Sequence, residues 1–373
     1  MKIAILSVTN KGKVISDNLK EILDKDPTII RADTFHKNIK ENINNIFNKQ
    51  NISYDAIIGI MATGIIIRSI APYIQSKIRD PAVIAMDENG KYAISLVSGH
   101  LGRANELTEK IAKLINSEPV ITTATDVNNK IGIDTLANKY YWEIINKDEI
   151  LYFNKSILED KKVYLFVNIK SKKKINYIDD INNYLKSKNH NTVEIIDLKN
   201  EEPSIKNTHS EVSSVDINAI INIANKNYDI VAICGKERMI FRERNLVVGI
   251  GAKSNISKEK VVNAINEGLN NLNLPIERIN SLATAEIKAE EVGILESAEK
   301  LKLPLKIINL DEIKKLKDFD ISHSKFVEEK FGIIGVCEPA ALIGACGEEN
   351  LKSRLIHKKT AIDGVTVAVA ISI

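Results

Sequence analysis

The sequence predicts a multidomain α/β protein, with mostly parallel sheets covered by helices on both faces (three layers, α/β/α) in its N- and C-terminal domains. Three observations carry this expectation. The 373 residues exceed what one ordinary hydrophobic core serves and indicate two or three domains. Apolar runs of strand length alternate with amphipathic stretches at helical spacing, both before residue 140 and after residue 245. The polar junctions between them, rich in Gly, Ser and Thr, fall where apolar runs stop, the edge at which open α/β sheets bind ligands. The domains are drawn as 1–140, 141–240 and 245–373, the middle one a small α/β module.

Taken in order, 3–8 is the first strand, and 12–23 a helix turning Val14, Ile15, Leu19, Ile22 and Leu23 inward. Residues 33–51 are rich in Asn and Lys, with Ile39, Ile43, Ile46 and Phe47 at helical spacing. The run 56–60 enters the turn Met61-Ala62-Thr63-Gly64; a second apolar run carrying Arg68 follows, and Pro72 stops it. Residues 82–86 and 92–97 read as strands joined by Asp87-Glu88-Asn89-Gly90, because Asn-Gly between apolar runs is a strong hairpin signal. The second strand empties into Ser98-Gly99-His100-Leu101-Gly102-Arg103. A helix then starts near Ala104, with Leu107, Ile111, Leu114 and Ile115 on one face. Pro119 restarts a strand that ends in Thr122-Thr123-Ala124-Thr125-Asp126.

In the middle part, 163–169, 192–198 and 228–234 are strand-like, 179–185 is a short helix, and 201–216 is a polar loop. The basic run Ser171-Lys172-Lys173-Lys174 reads as a solvated loop. The last part opens with strand 245–250 and a helix from Ser257 that turns Val261, Val262, Ile265 and Leu269 inward. Strand 279–284, a helix through 301, strand 305–308, a helix at 322–330 and a strand pair near 354–358 and 364–371 complete it.

The totals exclude several classes. Lys plus Arg at 52 nearly balance Asp plus Glu at 49, and aromatics are only 5%, so no nucleic-acid surface is expected. The 3 cysteines form no Cys-x-x-Cys pair, which disfavours a zinc ribbon or a redox dithiol. The first apolar run is too short for a signal peptide, and no segment approaches the roughly 20 residues that span a bilayer. A reduced, cytoplasmic protein without membrane contact is expected.

Familiar motifs fail on inspection. Gly249-Ile250-Gly251 lacks the third glycine of a dinucleotide fingerprint, and Gly251-Ala252-Lys253-Ser254 is not a P-loop. With Cys234-Gly235-Lys236-Glu237, these read as tight strand-to-helix turns. Ser98 lacks the flanking glycines of a nucleophile elbow. Among the 6 histidines, His100 stands out because it directly follows a strand end, near Arg103, Asn105, Glu106 and, one strand later, Asp126. In the last domain Glu286, Lys288, Glu290 and Glu291 cluster after a strand, and Glu338 precedes Pro339. A solvated helix start is the usual reading of such a cluster, Glu338 has a similar double reading, and neither identifies a reaction alone.

Taken together these residues resemble the cobalt-precorrin-5A hydrolases, the CbiG family of anaerobic cobalamin synthesis. The resemblance rests on Gly59-Ile60-Met61-Ala62-Thr63-Gly64, Asp80-Pro81-Ala82-Val83, Ser98-Gly99-His100-Leu101-Gly102 with Ala104-Asn105-Glu106-Leu107, and Thr122-Thr123-Ala124-Thr125-Asp126. It continues through Gly249-Ile250-Gly251, Leu282-Ala283-Thr284, Ile287-Lys288-Ala289 and Cys337-Glu338-Pro339-Ala340-Ala341-Leu342. Where the family often carries Cys-Arg after the Gly-Ile-Gly turn, Ala252-Lys253 stand here, so that turn supplies no essential thiol.

The resemblance implies hydrolytic opening of a δ-lactone on a cobalt-bearing polycarboxylate macrocycle, with acetaldehyde leaving. It implies no cofactor of the protein's own, since the cobalt belongs to the substrate, and no metal-ligand set. A homodimer and transient contact with neighbouring pathway enzymes are compatible with it. From residue chemistry and position, His100 is expected to be the general base or its relay, oriented by Glu106 or Asp126. Backbone N–H groups around 62–64 or 99–102 are expected to hold an oxyanion or carboxylates. Thr63, Gly64, Arg68, Ser98, Gly99, Arg103, Asn105, Thr123, Lys288 and Glu338 complete the expected substrate site. A non-catalytic carrier of the same macrocycle is the rival reading, and a nucleotide- or phosphate-binding enzyme a more distant one.

Overall fold

A computed structural model describes residues 1–48, 53–167, 175–188, 191–197, 230–316, 319–346 and 352–373. There are three sheets among the described residues, the middle one running through Glu243, past the boundary drawn at 240, and the packing gathers them into two compact units. One unit comprises residues 1–98, 106–120 and 245–373, and the other 99–105 and 121–244. The expected boundaries at 140 and 240 thus differ from the compact division, which leaves and re-enters the first unit through the helix that follows His100.

In the first unit, β1 (Lys2–Ser7), β2 (Arg31–His36), β3 (Ala56–Ile60), β4 (Ala82–Met86), β5 (Tyr92–Val97) and β6 (Glu118–Val120) form a sheet of order β2-β1-β3-β4-β5-β6. Every neighbouring pair is parallel except β4–β5, the hairpin signalled by Asn89-Gly90, where Gly90 takes φ +67°. The side-chain alternation of a strand explains how helices cover both faces. Ala4, Leu6, Ile57, Val83 and Ala85 share a core with Ile43 and Ile46 of α2 (Ile39–Phe47) and Ile66 and Ile70 of α3 (Thr63–Ile70). Ile58 and Ile60 point the other way, toward α1 (Asn10–Lys25), whose Gly12 lies against the Ile60 side chain. Thr9 starts α1 by accepting the Gly12 N–H at 3.0 Å, a side-chain N-cap. The helix α4 (Ala104–Ile115) follows β5.

The same unit holds a second sheet, of β12 (Leu246–Ala252), β13 (Ser281–Ala285), β14 (Leu305–Ile308), β15 (Ser353–Ile362) and β16 (Val365–Ser372), in the order β14-β13-β12-β16-β15. Its β12–β13 and β13–β14 pairs are parallel and its β12–β16 and β15–β16 pairs antiparallel, so this sheet is mixed rather than mostly parallel. The closing hairpin accounts for the difference. Gly249 and Gly251 lie inside β12, not in a strand-to-helix turn. A Cβ on Gly249 would sit 1.9 Å from the Cys337 carbonyl oxygen, and one on Gly251 2.6 Å from Thr366 Oγ1. These glycines therefore serve close approach of a helix backbone and a neighbouring strand, not a special backbone angle. Ala283, Ala285, Ala368 and Ala370 keep that face shallow for the helix Cys337–Ala345, while the helix Lys258–Asn270 covers the opposite face at Val367. The two sheets of this unit are tied by Lys358 N–H to Pro27 O at 2.7 Å and by Asp320, which pairs with Lys2 at 2.6 Å and Arg31 at 3.1 Å.

The second unit carries β7 (Trp142–Ile144), β8 (Val163–Val167), β9 (Val193–Asp197), β10 (Ile230–Cys234) and β11 (Glu237–Glu243), ordered β7-β11-β10-β8-β9. Only β8–β9 is parallel among these described pairs. Gly235, at φ +58°, turns β10 directly into β11, so Cys234-Gly235-Lys236-Glu237 is a strand-to-strand hairpin rather than the expected strand-to-helix turn. The core is aromatic: Tyr140 stacks on Trp142 at 5.4 Å, and Trp142 Nε1–H donates to Tyr177 at 2.7 Å. The unit also contains α5 (Ala124–Val127), α6 (Ile133–Lys139), α7 (Ile150–Leu158) and α8 (Ile175–Ser187). The basic run at 171–174 and the loop at 201–216 lie outside the described residues.

Candidate active site

His100 lies just past the end of β5, in the stretch 99–105 that belongs to the second unit. Its main chain is fixed by Asn138, whose side-chain amide donates to the His100 carbonyl at 2.7 Å, and by an Arg103 N–H bond to the same oxygen at 2.9 Å. The ring is largely buried, with its side chain 10% exposed, and both nitrogens face carboxylates. Nε2 lies 2.9 Å from Asp126 Oδ2 and 3.0 Å from Thr125 Oγ1, while Nδ1 lies 3.2 Å from Asp134 Oδ1. Burial opposes charge on the imidazole, but hydrogen bonds to Asp126 and Asp134 outweigh it and raise the ring to about 9. The two flanking acids thus favour the charged ring.

The two acids differ in what surrounds them. Asp134, on α6, is 2% exposed, and its Oδ1 also accepts from Asn154 Nδ2 at 2.9 Å and the Thr135 N–H at 3.1 Å. Burial works against its charge, and the His100 cation more than compensates, holding its carboxyl below the usual range. Asp126, on α5, has a side chain 34% exposed. The hydrogen bonds it accepts among the described residues all reach Oδ2, from His100, from Asn105 Nδ2 at 3.1 Å and from Thr125 Oγ1 at 3.5 Å. Among the described residues no hydrogen bond reaches its Oδ1.

Two glycines make room for this cluster. A Cβ on Gly132 would meet Asp134 Oδ1 at 2.7 Å and His100 Cε1 at 3.2 Å. One on Gly99 would meet Asn105 Oδ1 at 2.8 Å, and Asn105 in turn donates to Thr123 Oγ1 at 2.9 Å. Thus His100, Asp126, Gly99, Asn105 and Thr123 come together as the sequence suggested. Arg103 joins the edge of the group, donating to Tyr141 Oη at 3.1 Å across that ring's face.

Other expectations change. Glu106 is exposed in the first turn of α4, and the carboxylates on the His100 ring are Asp126 and Asp134 instead. Both nitrogens of the His100 ring lie within hydrogen-bond distance of a carboxylate, Asp126 at Nε2 and Asp134 at Nδ1. Ser98 is buried and donates to the Asp80 carbonyl at 3.0 Å, which makes it a turn anchor. Glu338 is 2% exposed, and its two oxygens accept from Ser322 N, Ser322 Oγ and Lys359 N. It fastens a loop and a strand to its helix. Lys288 pairs with Glu291 at 3.5 Å, in the first unit. Thr63 and Gly64 open α3 in that same unit. No side chain caps this helix, and the exposed Arg68 guanidinium folds back to 3.3 Å from where a Gly64 Cβ would stand. Free N–H groups beside a guanidinium suit a carboxylate.

Thr125, Gly132, Asp134, Asn138 and Asn154 were not anticipated. Gly132 two residues before an acid at a helix start was the available signal, and an ordinary helix-start acid gives the same one. Asn138 and Asn154 offered none.

Comparison with other proteins places the cluster in context. Residues 45–126 match the family described as cobalamin synthesis G N-terminal, and residues 246–370 the one described as cobalamin synthesis G C-terminus. A Methanocaldococcus jannaschii protein named "Probable cobalt-precorrin-5A hydrolase" is 32% identical across 99% of both chains. A Priestia megaterium protein named cobalt-precorrin-5A hydrolase is 25% identical over 99% of this chain and 94% of its own. The crystal structure of a cobalamin biosynthesis protein G homolog from Sulfolobus solfataricus shares the fold, with a TM-score of 0.57 over 99% of this chain and 97% of that one at 23% identity. Fold and site together define a multidomain α/β protein with a buried acid–histidine–acid cluster past a strand end. The chain belongs to the CbiG family, the cobalt-precorrin-5A hydrolases.

Proposed function

We propose that this chain hydrolyses cobalt-precorrin-5A, opening its δ-lactone and releasing the two-carbon bridge fragment as acetaldehyde to give cobalt-precorrin-5B. One water enters and one acetaldehyde leaves for each macrocycle. The observation that carries the reading at the level of the site is the half-buried Asp126 carboxylate, held by its Oδ2 against the buried His100 ring with no hydrogen bond to Oδ1 among the described residues. Lactone opening needs a base to take a proton from the attacking water and donors to hold the oxyanion that forms. Asp126 Oδ1 takes that proton. His100, Asn105 and Thr125 crowd donors onto Oδ2 and keep the carboxylate aimed. With both ring nitrogens engaged, His100 offers no lone pair to the substrate's cobalt.

Arg68 at the start of α3, Arg103 beside Tyr141 and Lys288, which also pairs with Glu291, are the proposed partners of peripheral carboxylates. The protein is proposed to need no cofactor of its own, the cobalt arriving with the substrate, and to work in the cytoplasm. Among the described residues no helix is long and apolar enough to cross a membrane, which agrees with that location. A homodimer and passing contacts with neighbouring enzymes are proposed, and nucleic acid is not a proposed partner. A carrier that only bound the macrocycle would have no use for a half-buried carboxylate held through its Oδ2 by three donors, and that reading is not favoured.

The test is anaerobic incubation with cobalt-precorrin-5A generated in situ, with trapping of volatile aldehyde while macrocycle mass is followed. One acetaldehyde per macrocycle is expected, and Asp126→Asn should slow its release on the order of 10²- to 10⁴-fold. Tight binding with neither aldehyde nor mass loss would overturn the hydrolase in favour of the carrier.

A further inference from the structure

We propose that Asp134 is the positioning residue of this site: from beneath His100 it holds the ring doubly protonated, with Nε2–H aimed at Asp126 Oδ2, so that Asp126 Oδ1 is the basic atom left facing water. The inference rests on the hydrolase reading for its kinetic part and on geometry alone for the rest.

The arrangement is built to serve it. Asp134 is 2% exposed and accepts from the ring, from Asn154 and from a main-chain N–H on one oxygen, so it stays ionised where a lone buried acid would take up a proton. Asn154 is itself fixed, since its Oδ1 accepts the Ile133 N–H at 2.9 Å and directs Nδ2 at Asp134. Gly132 leaves the space in which acid and ring meet. A buried carboxylate against one nitrogen decides the protonation of the other, as an orienting acid does for a histidine ligand. Here the far nitrogen meets a second carboxylate, and its proton is shared toward Asp126.

The charged groups around the ring come from each neighbouring element. Asp126 faces it from α5 and Asp134 from α6. From α7 the facing group, Asn154, is neutral. Lys130, in the turn between α5 and α6, is directed away to Asp160 at 2.8 Å and to the carbonyls of Ile157 and Leu158. Arg103 turns to Tyr141. No cation competes with the ring for the two acids among these groups.

The test reads the ring directly. Imidazole nitrogen and carbon NMR on the full chain, with no substrate present, should show His100 charged through neutral pH and titrating near about 9. In Asp134→Asn the titration should fall by at least one pH unit, because one of the two carboxylates is gone. Turnover of cobalt-precorrin-5A by that variant should lose about 10- to 100-fold in kcat with KM little changed, and its pH profile should shift with the ring. Asp134→Glu should recover part of both. Gly132→Ala, which adds only a methyl group against Asp134, should move the ring titration in the same direction. A wild-type His100 titrating at or below 6.5 overturns the proposal without any variant, and so does an Asp134→Asn protein with unchanged titration and kcat. Absence of turnover by the wild type would sink the hydrolase reading instead, and the NMR result would still decide the role of Asp134.

Discussion

His100 and His357 are both buried histidines, one in each compact unit, and they are pushed in opposite directions. His357, on β15, is 0% exposed; its Nε2 meets the Asn271 amide at 3.1 Å, and Nδ1 has no hydrogen-bond partner among the described residues. Burial depresses that ring to about 4, so it is neutral at pH 7. His100 loses comparable contact with water, yet two carboxylates raise it to about 9. The comparison teaches that burial does not set the charge of a histidine; the acids buried with it do. One neighbourhood is fit for proton chemistry. The other is packing with a polar ring in it.

Removing each ring should break the symmetry most. His100→Leu leaves two facing carboxylates with no cation between them, and the loss of a buried ion pair's partner destabilises by about 3–5 kcal/mol. Acetaldehyde release should fall by on the order of 100-fold or more. His357→Leu should change stability by no more than about 1 kcal/mol, since it gives up one hydrogen bond while removing an unsatisfied nitrogen, and should leave turnover as it was. Denaturant unfolding and the aldehyde assay on both variants check the contrast; equal losses would erase it.

The pH response should be opposite in sign. His100 has a folded value raised above the ordinary 6.5, so its contribution is complete below about 6.5 and is lost as pH rises through about 9. His357 has a folded value lowered below 6.5, so its contribution is complete above about 6.5 and is lost as pH falls through about 4. Each shift is worth on the order of 3 kcal/mol at its limit. Amide exchange, corrected for its intrinsic pH dependence, should therefore show 99–105 and 121–244 loosening on the alkaline side and the β15 region on the acid side. The smallest change sharpens the comparison: Asn271→Asp gives His357 one carboxylate and should raise its titration by about 1–3 units. NMR of that ring reads it, and no movement would mean that distance or water keeps the new charge from acting.

The residues legible in the sequence were those at strand ends. His100, Asn105, Thr123 and Asp126 sit where apolar runs stop, and hydrogen bonds among their side chains join them. Asp134 was not legible, because its role depends on a turn at Gly132 that brings α6 back under His100, and nothing local distinguishes it from an acid placed for a helix dipole. Glu338 shows the same limit: its position beside Pro339 was visible, but its partners Ser322 and Lys359 come from distant segments. The glycines of β12 were visible, but their reason, a helix backbone 88 residues later in sequence (Cys337 against Gly249), was not. Alternation and punctuation fix elements; which face a distant segment presses is a property of the folded chain.

The order of synthesis gives the layout of strands a consequence of its own. β12 has its antiparallel partner in β16, so one flank of the last sheet stays open until residues 365–372 have been translated. Residues 121–244, by contrast, have all been made before β12 begins. At roughly 5–20 residues per second the ribosome leaves an interval on the order of ten seconds between them. During it the acid–histidine–acid cluster can assemble, while apolar strands on the other unit still wait for their last partner.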